Sequence, residues 1–108
     1  MASTPEKKVK DKVTALLRKY GAYYFFPATY GMGRAGVPDI IVCFKGLFIG
    51  IECKAGKGKT TALQDRELAA IKQAGGISVV INETNIELVE RILTEVQHVK
   101  ETIEGSPP

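Results

Sequence analysis

The sequence predicts an α/β fold, a small mixed sheet flanked by helices. Apolar residues recur at helical spacing in three segments. Short runs rich in β-branched and aromatic residues lie between them. The resulting order is helix, three strands, helix, strand, helix, which a hairpin and one right-handed crossover satisfy. With 108 residues, 44% apolar and 25% charged, the chain has one domain's length, read as 1–108 with a frayed polar tail from about 104.

The first helix starts at Ser3-Thr4-Pro5-Glu6, which offers a capping hydroxyl, a proline suited to the first turn and an acid that complements the helix dipole. Val9, Val13, Leu16, Leu17 and Tyr20 follow on one stripe, and Gly21 ends it. Residues 22–26, "AYYFF", read as a strand. The aromatic set Tyr20, Tyr23, Tyr24, Phe25, Phe26 and Tyr30 is expected in core and interface rather than in a base-stacking platform. A glycine-rich loop, "ATYGMGRAGVP", leads to strands 39–44 and 47–55, joined at Lys45-Gly46 as a tight hairpin. A basic loop, "GKGK", precedes a helix capped by Thr60 or Thr61 and closed by Gly75-Gly76 near Gln73. The strand "ISVVIN" follows. Thr84 with Glu87 is expected to form a capping box for the last helix, whose apolar face is Ile86, Val89, Leu93 and Val96.

A two-residue turn at Lys45-Gly46 fixes the hairpin register. Phe44 then faces Leu47, Cys43 faces Phe48, and Asp39 lands opposite Glu52. Lys54 shares the acids' face, and Ile40, Val42, Leu47, Ile49, Ile51 and Cys53 point to the other. Two carboxylates this close need a proton or a cation between them. Lys54 is one such cation, in which case the group is a solvated surface cluster. A divalent ion is the other, because magnesium takes one or two carboxylates and fills its shell with water and phosphate oxygens. Gln64 puts an amide on the apolar stripe of the second helix, where a glutamine needs partners. Glu6 lies on the apolar stripe of the first helix, though a first-turn acid also serves the dipole.

Pro38-Asp39, then twelve residues, then Glu52-Cys53-Lys54, with "GVPD", "IECKA", a glutamine ten residues beyond the lysine and an acid on the first helix, resembles the PD-(D/E)XK nucleases. Within them it resembles the VRR-NUC family in its short standalone viral and bacterial form. The resemblance spans roughly Glu6 to Leu88. It implies a restriction-endonuclease-like αβββαβ core with a C-terminal helix, and a Mg²⁺- or Mn²⁺-dependent endonuclease acting on branched DNA such as Holliday junctions, as a homodimer. It implies that Asp39, Glu52 and the main-chain carbonyl of Cys53 hold the metal. Lys54 would activate water or stabilise charge, and Gln64 and Glu6 would complete the pocket. The alternatives are a non-cleaving DNA-binding module of the same fold and a nicking or restriction-like nuclease on linear duplex.

A net charge of +3 suits a nucleic-acid partner without requiring one. Arg34, Lys57 and Lys59 are candidate contacts to backbone phosphates. "GKGKT" does not complete a nucleotide-binding phosphate loop, because the position five before Gly58 is Cys53, so no nucleotide cofactor is expected. One histidine and no CxxC leave little for zinc. Cys43 and Cys53 face opposite sides of the hairpin and are not expected to pair. No window is apolar enough for a membrane span, and "MASTPEKKVK" has no signal-peptide core, so a cytoplasmic location is expected.

Overall fold

Thr4 opens the first helix, α1 (Pro5–Lys19), its hydroxyl oxygen accepting from the Lys7 amide at 3.1 Å. The computed structural model describes residues 4–28 and 33–104; Ser3, Tyr30 and residues 105–108 of the expected tail lie outside them. Gly21, at φ 72°, turns the chain out of α1 into β1 (Tyr23–Phe25). Strands β2 (Ile40–Phe44) and β3 (Leu47–Cys53) form the hairpin, and Lys45 and Gly46 both take positive φ. That is the backbone which lets a two-residue turn follow the strand twist. Helix α2 (Ala62–Gln73) crosses to β4 (Ile77–Ile81), parallel to β3, and α3 (Glu87–Glu104) ends the described chain.

The sheet order is β1-β2-β3-β4, antiparallel except for the last pair. The expected αβββαβ order with a C-terminal helix is therefore present. Ile40, Val42, Phe44, Ile49, Ile51, Cys53 and Ile81 point to one face, where α1 brings Val9, Val13 and Leu17 and α3 brings Val89 and Leu93. Phe44 joins this core beside the residues expected there. Outside it, Lys19 and Tyr20 both donate to Glu90 Oε2 at 2.9 Å, tying α1 to α3.

Helix α2 covers the other face. A Cβ at Gly50 would stand 2.6 Å from the Ile71 terminal carbon, so the glycine leaves the room that side chain of α2 occupies. Ser78, beside Gly50 on β4, donates to the Leu68 carbonyl at 2.7 Å.

Three expectations need correction. The aromatic set divides: Tyr20 and Tyr24 pack half-buried against the core, while Tyr23, Phe25 and Phe26 are exposed and not part of it. Tyr23 and Phe25 lie on β1, an edge strand whose one neighbour is β2. Thr84 does not build a capping box with Glu87. Its hydroxyl and amide both donate to Asn82 Oδ1, while the Asn82 amide donates to Asn85 Oδ1. That exchange also ends β4 one residue before Asn82. Finally, Glu104 belongs to α3 and not to a tail.

Candidate active site

The hairpin register runs from Phe44 opposite Leu47 to Ile40 opposite Ile51, so the next residues outward, Asp39 and Glu52, face each other at the open end. Asp39 accepts from the Cys53 amide through Oδ2 at 2.9 Å, tying the strands beyond their last paired residues. Its Oδ1 is not engaged by that bond. Glu52 is 2% exposed. Its Oε2 accepts from Gln64 Nε2 at 3.1 Å and lies 3.5 Å from Lys54 Nζ. Its Oε1 is buried with no hydrogen-bond partner among the described residues.

Such an orphaned acceptor is uncommon and needs an explanation. Burial first, and Asp39 next, push the Glu52 carboxyl up to about 7, against the pull of Lys54. Without a cation the buried site thus favours the protonated carboxyl more than an exposed glutamate would. Two hard oxygens, Glu52 Oε1 and the outer Asp39 oxygen, suit a small divalent cation. No third Asp, Glu, His or Cys closes on the pair among the described residues, which matches an ion that keeps its waters and takes phosphate oxygens. The donor set fits magnesium or manganese.

Gln64 is placed by its own helix cap. Thr61 Oγ1 accepts from the Gln64 amide and Gln64 Oε1 accepts from the Thr61 amide, a complete capping box. The amide nitrogen is thereby turned towards Glu52. The pattern Thr-x-x-Gln is readable in the sequence, but its link to the site is not.

Cys53 is fully buried on the core side, and burial pushes its thiol up to about 12. It is a packing residue. Cys43 is exposed on the opposite side, as the register requires.

No family model and no curated protein matches the sequence. Solved structures do match. A protein described as a VRR_NUC domain superposes with a TM-score of 0.68 at 20% identity, over 85% of this chain and 97% of its own. A second VRR_NUC domain protein gives 0.59 at 17% identity, over 89% and 88%. Hjc, a Holliday junction resolvase from Archaeoglobus fulgidus, gives 0.53 at 21% identity, over 71% of this chain and 65% of its own.

The chain has the fold of a VRR_NUC domain.

Within this VRR_NUC fold, Asp39, Glu52, Lys54 and Gln64 form one contiguous group. Glu6 stands apart. It is exposed on the wall of an open cleft of about 740 Å³ that Lys10, Phe26 and Ala55 also line. It adds only the smallest of the effects on Glu52. Lys10, not singled out in the sequence, meets Phe26 there, the ammonium 4.3 Å from the ring centre. Their meeting joins α1 to the end of β1 and has no local sequence signal. Lys57 and Lys59 are exposed in the loop that leaves β3. That loop is tied down where the Gly56 amide donates to Glu83 Oε1 at 2.7 Å. Arg34 is engaged elsewhere: Nε and Nη2 each donate to Glu67 at 2.9 Å, a fork onto α2.

Proposed function

We propose that this chain is a divalent-metal-dependent, structure-specific DNA endonuclease of the VRR-NUC type, acting on branched DNA as a homodimer. The observation that carries the reading is the pairing of Asp39 with a buried Glu52 whose Oε1 has no partner among the described residues, beside Lys54. The fold it shares with VRR_NUC domains and with a protein named as a Holliday junction resolvase supports the nuclease class and suggests the branched substrate.

In this reading Asp39, Glu52 and the Cys53 carbonyl hold Mg²⁺ or Mn²⁺. The bound ion supplies screening of the phosphodiester charge and an acidified water. Lys54, 14% exposed, offers its ammonium to the negative charge that builds on the phosphate. Gln64 holds Glu52 in place, and Glu6 faces the substrate from the cleft wall. Lys57 and Lys59 contact phosphates further along the strand without reading bases. Arg34 would have to leave Glu67 to join them. No nucleotide cofactor is needed, and a cytoplasmic site of action suits DNA as substrate.

The test is cleavage of a panel of duplex, flap, splayed and four-way DNA with Mg²⁺, Mn²⁺ or EDTA. Metal-dependent cutting that favours branched members is expected. DNA binding with no cutting in either metal makes the chain a binding module, and equal cutting of linear duplex makes it a general nickase.

A further inference from the structure

The chain approaches Asp39 through a loop that is fastened to α2. Arg34 Nε and Nη2 donate to Glu67 Oε1 and Oε2, each at 2.9 Å. The arginine is exposed, whereas Glu67 is buried, 7% exposed. A buried carboxylate depends on its partner, because losing it strands a charge away from water. The fork holds the Glu67 carboxyl below its ordinary value. Two residues beyond Arg34, a Cβ at Gly36 would stand 2.7 Å from the Leu63 carbonyl carbon, so the loop lies directly on the backbone of α2. Pro38 is buried, its Cγ 3.0 Å from where a Cβ at Gly50 would stand. Asp39 comes next.

The same stretch of α2 serves the other acid. Leu63 and Glu67 are one turn apart, and Gln64, next to Leu63, donates to Glu52 Oε2. Asp39 itself lies outside the paired register, which ends at Ile40 opposite Ile51. We propose that Arg34 and Glu67 are positioning residues for Asp39, and that α2 sets the spacing of the acid pair from both sides. Two carboxylates that are to share an ion must stand within roughly half an ångström of their places. The Cys53 amide fixes one oxygen of Asp39, and the fastened loop fixes the main chain that leads into it. A planar fork onto a carboxylate suits arginine and not lysine. The charge of Arg34 alone suggests a phosphate contact; the fork assigns it to Asp39 instead.

The fastening stands without the nuclease reading; its meaning for a metal rests on that reading. The capping box that aims Gln64 at Glu52 involves neither Arg34 nor Glu67. Loosening the fork should therefore leave Glu52 held and misplace Asp39. The bond from the Cys53 amide to Asp39 registers that displacement in protein free of metal and DNA.

The experiment is amide hydrogen exchange of the whole chain in EDTA, on wild type, Arg34→Gln, Arg34→Lys and Glu67→Gln. Cys53 reads the bond to Asp39, and Val13, buried in α1, reads opening of the core. Exchange at Cys53 relative to Val13 should quicken at least fivefold in Arg34→Gln and Glu67→Gln, and by less in Arg34→Lys. Where a glutamine variant does not fold, Arg34→Lys carries the same comparison. Mg²⁺ affinity by calorimetry should fall in the same order, at least threefold for Arg34→Gln. The salt slope of DNA binding in EDTA should be unchanged in Arg34→Gln. Exchange at Cys53 that follows Val13 in every folded variant overturns the proposal. So does a salt slope lower by about one in Arg34→Gln, which makes Arg34 a phosphate contact. So does wild-type Mg²⁺ affinity in a variant whose Cys53 exchange has quickened. A wild type that binds no Mg²⁺ and cuts no DNA, with quickened exchange in the variants, supports the fastening and overturns the nuclease reading instead.

Discussion

Gln64 Nε2 donates to Glu52 Oε2 across 3.1 Å, while Gln64 Oε1 closes the cap of α2. One side chain therefore serves a helix end and a candidate metal ligand at once. Gln64→Ala removes both and should lower stability by about 1 kcal/mol together with activity. Gln64→Glu keeps an acceptor for the Thr61 amide but sets a third carboxylate against Glu52. Its melting temperature should stay closer to wild type than that of the alanine variant, while cleavage per folded molecule falls at least tenfold. Thermal melts and single-turnover rates on both variants decide; an active Gln64→Glu removes Gln64 from the site.

Glu52 gives a pH signature. Its folded pKa of about 7 lies above the unfolded value, so its contribution favours the folded state below the unfolded pKa and is lost as pH rises through about 7. Metal-free protein should therefore lose stability between about pH 5 and pH 8, by up to about 3 kcal/mol. Glu52→Gln should flatten that profile, be the more stable protein at pH 8 in EDTA, and cut no DNA. Urea unfolding at the two pH values measures this. A wild type whose stability is flat across that range contradicts a protonated, buried Glu52.

A proton and a cation would compete for the same carboxylate. At low metal concentration the cleavage rate should rise up to tenfold per pH unit below about 7 and then level off. The plateau should begin at lower pH as Mg²⁺ is raised. Rate–pH profiles at two metal concentrations test it, and superimposable curves exclude Glu52 as a ligand.

Asp39→Asn keeps an oxygen that can accept from the Cys53 amide and removes the charge. The fold should survive with a loss of about 1 kcal/mol or less, while Mg²⁺ affinity by calorimetry falls at least tenfold and cleavage is abolished. Unchanged Mg²⁺ affinity would show that the ion, if bound, sits elsewhere.

Lys54 and the loop lysines should separate chemistry from binding. Lys54→Ala should nearly abolish single-turnover cleavage and still bind branched DNA in Ca²⁺, as expected of a charge proposed to act mainly in the transition state. Lys57→Ala and Lys59→Ala should weaken binding to every DNA and lower the salt slope by about one each, with cleavage at saturating enzyme unchanged. The reverse pattern would move the reacting phosphate from Lys54 to the loop.

The acid pair was legible because one local feature, a two-residue turn, fixes every position outward from Lys45-Gly46. Gln64 was legible as an amide on an apolar stripe, though not as a helix cap that aims at Glu52. Part of what stayed hidden depends on partners far along the chain. Arg34 reads as a free cation until Glu67, 33 residues on, takes both of its donors. The aromatic run reads as core and interface alike because composition cannot tell which residues an edge strand will leave exposed. Thr84 and Glu87 have capping-box spacing, but Asn82 lies nearer and takes the threonine first. Glu6 keeps both of its readings, since an exposed first-turn acid suits the dipole and the cleft alike.

The bond from the Cys53 amide to Asp39 Oδ2 has a consequence for quality control. It forms only when Asp39 and Glu52 are opposite, and a slip of one residue would turn one acid to the core side and break it. The group that would cut DNA is thus assembled by the same contact that certifies correct strand pairing. A mispaired chain in the cell would be inert rather than a stray nuclease, so its errors would threaten its own stability before they threatened the genome.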